Sequence, residues 1–372
     1  MMCKTIHIMA VLLATGISHF DAPLSAEPNE TESSVNRAVQ LLEQGKCDEA
    51  VGVCSKAIAD APITPELYMT RALAYRTLGR FEDALKDYGD AIRITPKNAE
   101  AYAHRSALYL DLGREEDARV DAARAIDLAP KDCEIAYCIR AEIFRRRGDF
   151  NRAIADMDQA IRINPKSVSA NNNRAVLSLI MGQHQETIVH ATKVIELAPN
   201  FADGYLTRAG AYLGMGEYQK VLADCEAAIA RDGKTYSAYL LSSTVYLKQK
   251  KYNKAVSYAG EAIWLNAKCV DAYINRGRAF LETAQYEDAE ADANDAIRID
   301  PKAAAAYCLL GEVNEARREL KTAIFNFSKA IECDTHCLGA YRHRSDCYRS
   351  LGDHVKAQLD AETVSRLSGK EQ

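Results

Sequence analysis

The stretch that decides the fold is Ala91-Ile92-Arg93-Ile94-Thr95-Pro96, an Ala-Ile pair closed by proline at the end of an apolar-periodic run. It returns as Ala57-Ile58 with Pro62, Ala125-Ile126 with Pro130, and Ala160-Ile161 with Pro165. Val194-Ile195 with Pro199 and Ala296-Ile297 with Pro301 continue the series. Ala228-Ile229, Ala262-Ile263 and Ala330-Ile331 keep the phase, although Gly233, Ala267 and Thr335 stand where proline would be. The step is 34 residues throughout except Pro130 to Pro165, which is 35. The extra residue falls in the connection around Lys131 to Glu134, and loops between repeats tolerate insertion.

Other columns share the period. Tyrosine stands 28 residues before the proline column at Tyr68, Tyr102, Tyr137, Tyr205, Tyr239, Tyr273, Tyr307 and Tyr341. Four residues on comes Ala, Ser or Gly, and three further a mostly aromatic position such as Tyr109, Phe144 or Phe280. A large, small, large pattern at i, i+4 and i+7 is one face of a helix. Glycine interrupts it at Gly45, Gly79, Gly113, Gly148, Gly182, Gly216 and Gly352, and a second periodic stretch then runs to the proline. Each unit therefore reads as helix, Gly-containing turn, helix, Pro stop, and no strand pattern competes after residue 30.

These columns resemble the tetratricopeptide repeat family over residues 31–368, as about ten units with the last, His354 to Leu367, as a more polar cap. Here the aromatic near the start of the first helix is Tyr, and the residue three on is usually Arg. The resemblance implies an all-α, right-handed superhelical solenoid of antiparallel helix hairpins, with a concave groove lined by the first helix of each. It also implies a protein-interaction scaffold that takes a protein or peptide segment in that groove, rather than an enzyme. An intracellular co-chaperone-like or regulatory adaptor, or a non-catalytic subunit of an enzyme complex, is the alternative. No cofactor and no metal are expected.

Composition limits the partners. The 372 residues hold 47 Lys plus Arg against 52 Asp plus Glu, a net charge of −5. Nucleic-acid binding needs a clustered cationic excess, so nucleic acid is not an expected partner. Residues 1–26 place Lys4 ahead of an apolar run from Ile6 to Ile17 and end on the small residue Ala26, which reads as a signal peptide. Residues 27–30 form a short polar segment, and residues 369–372 a tail. The expected location is secreted or periplasmic, with the cytoplasm as the alternative and no membrane span in the mature chain. Eleven cysteines would be a disulfide framework in a small secreted domain, but most sit inside helical phases where free cysteine acts as a small hydrophobe.

Arginine recurs at Arg37, Arg71, Arg105, Arg140, Arg174, Arg208, Arg276 and Arg344. Sixteen residues later stand Asp87, Asp121, Asp156, Asp224, Asp292 and Asp360, matching six of them. Where arginine is lost, at Ser242 and Leu310, the aspartate is lost too, at Tyr258 and Asn326. Joint presence and joint loss predict structural ion pairs between the two helices of a hairpin, since a stranded charge at a half-buried seam is costly. Arg37 and Arg174 lack that carboxylate, with Val53 and His190 in its place.

The residues just before the arginine column are the predicted groove lining: Asn36, Thr70, His104, Thr207 and Asn275 among them, with Asn173 in the fifth repeat. Asn donates and accepts together, which suits an extended peptide backbone. The fifth repeat carries Asn171-Asn172-Asn173 and is either a drifted, looser unit or a polar ligand site. Arg145 and Arg146, at the end of the fourth repeat's first helix, are expected to face the groove, where an acidic segment would dock. The cluster Cys333, His336, Cys337, His343 and Cys347 has metal-ligand residue types but no zinc spacing. Gly233-Lys234-Thr235 follows a helix instead of a strand and lacks the first glycine of a phosphate loop. The signal-peptide reading predicts a mature N-terminus near Glu27 in the native protein. Intact-mass analysis checks this, and retention of Met1 or Met2 excludes it.

Overall fold

The computed structural model describes residues 30–369; the predicted signal peptide at residues 1–26 lies outside the described residues. The described residues form twenty helices, α1–α20, and no strand. They make ten hairpins, divided between a unit ending at Ala198 and a unit beginning at Pro199. The first unit holds α1 (Glu30–Glu43), α2 (Cys47–Asp60), α3 (Pro65–Thr77), α4 (Phe81–Ile94), α5 (Ala99–Asp111), α6 (Glu115–Leu128), α7 (Glu134–Arg146), α8 (Phe150–Ile163), α9 (Val168–Ile180) and α10 (His184–Leu197). The second holds α11 (Ala202–Gly214), α12 (Tyr218–Arg231), α13 (Tyr236–Lys248), α14 (Tyr252–Leu265), α15 (Val270–Glu282), α16 (Tyr286–Ile299), α17 (Ala304–Ala316), α18 (Leu320–Cys333), α19 (Leu338–Ser350) and α20 (His354–Ser368).

The alanine columns explain the stacking. Ala72, Ala84, Ala91, Ala118, Ala122 and Ala125 are fully buried, so neighbouring helices approach closely and the larger side chains interdigitate. Where the small column is glycine, a neighbour has grown into the space. A Cβ on Gly277 would meet Leu309 Cδ2 at 2.6 Å, and one on Gly311 would meet Phe327 Cε1 at 2.6 Å. Successive first helices pack side by side within each unit, as α5 does with α7 and α15 with α17, while second helices touch mainly the flanking first helices. The first helices therefore line the inner face of each unit.

Each hairpin turn is a left-handed C-cap. Gly79 N–H donates to Arg76 O at 3.1 Å and Arg80 N–H to Tyr75 O at 2.8 Å, which satisfies the last carbonyls of α3. Glycine takes the positive φ in seven hairpins, but Lys250, Ala284 and Arg318 hold φ of 58°, 57° and 66° in the three consecutive hairpins that lack it. The tyrosine column secures the other end of the unit. Tyr68 and Tyr205 hydroxyls donate to Pro62 O and Pro199 O, six residues back, at 3.0 and 3.2 Å. Tyr137 reaches Pro130 O, seven residues back, at 3.1 Å, so the inserted residue is absorbed in the loop without disturbing the bond.

In the last hairpin Val355 is 82% exposed and Leu359 64%, at positions that face solvent in the preceding hairpin as well, where Lys321 and Phe325 stand. The strained turns give a stability test. Ala284 is exposed and needs only its backbone, so Ala284→Gly should stabilise the protein by about 1 kcal/mol by removing the left-handed penalty of an L-residue. Chemical denaturation measures it, and no gain would mean the turn relaxes without cost.

Candidate functional site

Before an inner face can bind anything, the charged side chains already used by the fold must be set aside. All six predicted pairs are bidentate. Arg71–Asp87, Arg105–Asp121, Arg140–Asp156, Arg208–Asp224, Arg276–Asp292 and Arg344–Asp360 each join Nε and Nη2 to the two carboxylate oxygens at 2.6–2.9 Å. The aspartate side chains are 3–8% exposed and the arginines 17–27%. Most guanidinium groups also lie between ring faces on their own helix, as Arg105 does between Tyr102 and Tyr109 at 5.6 and 5.7 Å.

The arginines reach backwards as well as forwards. Arg71 Nη1 donates to Ser55 Oγ at 3.0 Å, and Arg344 Nη1 to Ser328 Oγ at 2.8 Å, sixteen residues earlier on the preceding hairpin. This corrects the reading of Arg174 as unmatched: its Nε donates at 2.8 Å to Asp158, which occupies that same earlier position, and Nη1 donates to Ser178 Oγ. Arg37 is exposed. In the hairpin with Ser242 and Tyr258, Tyr258 lies against Tyr246 at 5.1 Å and Tyr239 at 6.0 Å, and the Ser242 hydroxyl pairs with the Cys225 thiol. Asn326 Nδ2 donates to Asn314 Oδ1 at 2.8 Å.

Much of the predicted groove lining is seam. Thr70, His104 and Thr207 are buried, because their column lies where consecutive first helices pack side by side. Thr70 Oγ1 bonds back to Glu66 O at 2.8 Å. His104 stacks on Tyr88 with centroids 6.1 Å apart, as His343 stacks on Phe327 at 5.5 Å in the second unit. Asn275 is half-buried and donates to Ser243 Oγ and Thr244 Oγ1, both at 2.9 Å. Asn36 and Asn173 are exposed. Asn172 is half-buried with an Oδ1 that no protein group meets.

The fifth hairpin is rewired internally. Asn171 takes the tyrosine's place and donates to Ser167 O at 2.8 Å and Pro165 O at 3.4 Å, while its Oδ1 faces His190 Nδ1 at 3.3 Å. Burial, then the Arg174 charge, holds His190 below its usual range. Arg145 and Arg146 do not form a free cationic patch, since both bond to Glu142 at 2.7–2.8 Å. Burial raises the Glu142 carboxyl, and the hydrogen bonds from both arginines outweigh it to hold the group below its usual range.

The residues that sequence reasoning passed over lie three positions beyond the seam column: Glu142, Thr244, Arg278 and Glu312. Glu312, on α17, is half-buried among Arg278 and Glu282 of α15, Glu315 of its own helix and His343 of α19. Burial, first, and the two neighbouring glutamates push its carboxyl up, against Arg278 and His343. His343 Nδ1 lies 2.8 Å from Glu315 Oε2. The predicted cysteine and histidine cluster splits: Cys333 and His336 are exposed, whereas Cys337 and Cys347 pack in one core and His343 lies on Glu315. Among the described residues no group of three or more His, Cys, Asp or Glu could hold a metal ion, and no helix is long and apolar enough to cross a membrane.

Family models for tetratricopeptide repeats match residues 72–113, 99–132, 135–167 and 274–336, in both units and in the phase of the hairpins. The chain carries tetratricopeptide repeats. Among solved structures, the APC/C hetero-tetramer Cut9-Hcn1 aligns with a TM-score of 0.51 at 13% identity, over 98% of this chain and 90% of that one. A tetratricopeptide repeat protein from Parabacteroides merdae ATCC 43184 aligns with a TM-score of 0.49 at 22% identity, over 67% and 98%. Yeast Tom70 gives 0.48 at 14%, over 91% and 85%. No curated protein sequence matches. Tetratricopeptide repeat proteins are in general non-catalytic protein-interaction scaffolds, and the arginine ladder is the part of this one that holds the scaffold.

The pair Arg140–Asp156 tests that role. Asp156 is the more buried partner, so Arg140→Met strands a carboxylate and should cost about 3 kcal/mol. Asp156→Leu leaves an arginine that can turn to solvent and should cost less, about 1–2 kcal/mol. The double change should recover most of the loss in chemical denaturation. Small additive effects would make the column a binding ladder.

Proposed function

We propose that the protein is an interaction scaffold whose inner face in the second unit seats an extended protein segment bearing Lys or Arg. The observation that supports this reading is the half-buried carboxylate of Glu312, crowded by Glu282 and Glu315 and opposed by Arg278 and His343. A cation from a partner relieves that crowding, and charge-assisted hydrogen bonds to carboxylates are among the stronger polar contacts. Asn275, fixed by Ser243 and Thr244, keeps its amide oxygen to accept from a backbone N–H nearby.

In the first unit, Arg145, Arg146 and Asn173 are the second candidate surface, with Asn172 beside them. Two guanidinium groups share one carboxylate, so this patch keeps a net positive charge and suits an acidic segment.

The test uses the full-length chain and three peptide sets, rich in Lys and Arg, rich in Asp and Glu, or uncharged, measured by fluorescence anisotropy. Glu312→Gln should weaken the basic set about tenfold, the factor that corresponds to ~1.4 kcal/mol, and leave the uncharged set unchanged. Equal effects on all three sets, or none, would remove the second unit's face from the binding site.

A further inference from the structure

The sulfur atoms of Cys308 and Cys337 stand 3.3 Å apart, both as free thiols. Repeat geometry puts them there. The residue after the tyrosine column of one hairpin meets the N-cap of the first helix of the next, as Met69 Sδ meets Asn98 Nδ2 at 3.3 Å. Cys308 follows Tyr307 on α17, and Cys337 is the N-cap of α19. Cys133 and Cys269 are N-caps at the same position, yet they pack with Ala103 and Leu240 in the facing column. Of the three N-cap cysteines, Cys337 alone faces a thiol.

The two thiols are not equivalent. Cys308 is buried in the core formed with Ala323, Phe327 and Ala330, whereas Cys337 is half-buried at a helix N-terminus that reagents can reach. The Cys308 thiol, first, and the Ala340 amide favour the thiolate at Cys337, while burial, then Asp334 and Glu312, oppose it. The shared hydrogen bond and burial hold Cys308 protonated. Burial raises Cys133 to about 11 and Cys269 above its usual value.

We propose that Cys308 and Cys337 form a thiol–disulfide exchange site that closes to a disulfide between the ninth and tenth hairpins, with Cys337 attacking and Cys308 resolving. The oxidant is a small dialkyl disulfide of the glutathione class. The Cys337 thiolate attacks one sulfur of the reagent, forming a mixed disulfide and releasing one thiolate. Cys308 then loses its proton to solvent and attacks Cys337 Sγ, expelling the second thiolate. In sum, two protein thiols are oxidised to one disulfide and one molecule of reagent is reduced to two thiols. The product ties α17 to the start of α19 and closes a loop across 29 residues of sequence.

The experiment takes the fully reduced full-length chain, adds oxidised glutathione at neutral pH, blocks remaining thiols with N-ethylmaleimide, and maps the products by mass spectrometry. The expected wild-type product is a peptide pair linked between Cys308 and Cys337, lighter by two hydrogens than the two reduced peptides together. Cys308→Ser should instead accumulate glutathione on Cys337, and the exposed Cys333 should stop at its mixed disulfide in either protein. If Cys308→Ser fails to fold, the wild-type time course still decides, because the first adduct at this pair must be on Cys337. Glutathione persisting on wild-type Cys337, a link from Cys337 to Cys333 or Cys347, or Cys133 and Cys269 reacting as fast as Cys337 would each overturn the proposal.

Discussion

An arginine held sixteen residues from a carboxylate on its own hairpin and sixteen from a hydroxyl or carboxylate on the preceding one can be satisfied only if three helices keep their register together. The guanidinium is planar with five donors in fixed directions, so it measures that register more strictly than apolar contact does. Arg71 shows the full set, with Asp87 ahead, Ser55 behind and tyrosine rings on either side. The gain is specificity more than net stability. At Asp292, burial raises the carboxyl and Arg276 only partly offsets it, the balance expected when desolvation rivals Coulomb attraction. Removing one partner is costly because the other is then left dry and charged.

The same constraint explains where the chain tolerates change. The one-residue insertion lies between Pro130 and Tyr137, in a loop where a tyrosine hydroxyl spans seven residues as readily as six. Loss of arginine at Ser242 and Leu310 is accompanied by a different filling of the seam, by rings around Tyr258 and by Asn326 with Asn314. At Arg174 the forward carboxylate is absent, and the guanidinium turns to Asp158 behind it. The seam must be filled by some mutually satisfied set, since a buried polar group without a partner costs more than the bond it replaces gains.

The hairpin period, the turns and the forward ion pairs were legible in the sequence because each repeats at fixed spacing and physical chemistry assigns each a single role. The backward contact was not legible, because Ser55, Asp158 and Ser328 share a position without sharing a residue type. The groove lining was misread for a related reason. The seam and the open face are three residues apart on the first helix, less than one turn, so periodicity alone assigned Thr70, His104 and Thr207 to the wrong one. Only the packing of one first helix against the next separates the two.

That three-residue offset also divides structure from specificity. Along the seam, each hairpin answers the same requirement with few solutions, so the residues repeat. Three residues on they do not: buried Leu73 and Ala107 and half-buried Glu142 and Val176 follow one another in the first unit, and Thr244, Arg278, Glu312 and Asp346, half-buried or exposed, in the second. A scaffold built this way can change the chemistry of its inner face without touching the ladder that holds it, because the two sets of side chains share helices but few partners. Fold then leaves function open, and the face supplies it. In the second unit that face concentrates carboxylates around the half-buried Glu312, a feature no packing requirement of the repeat accounts for.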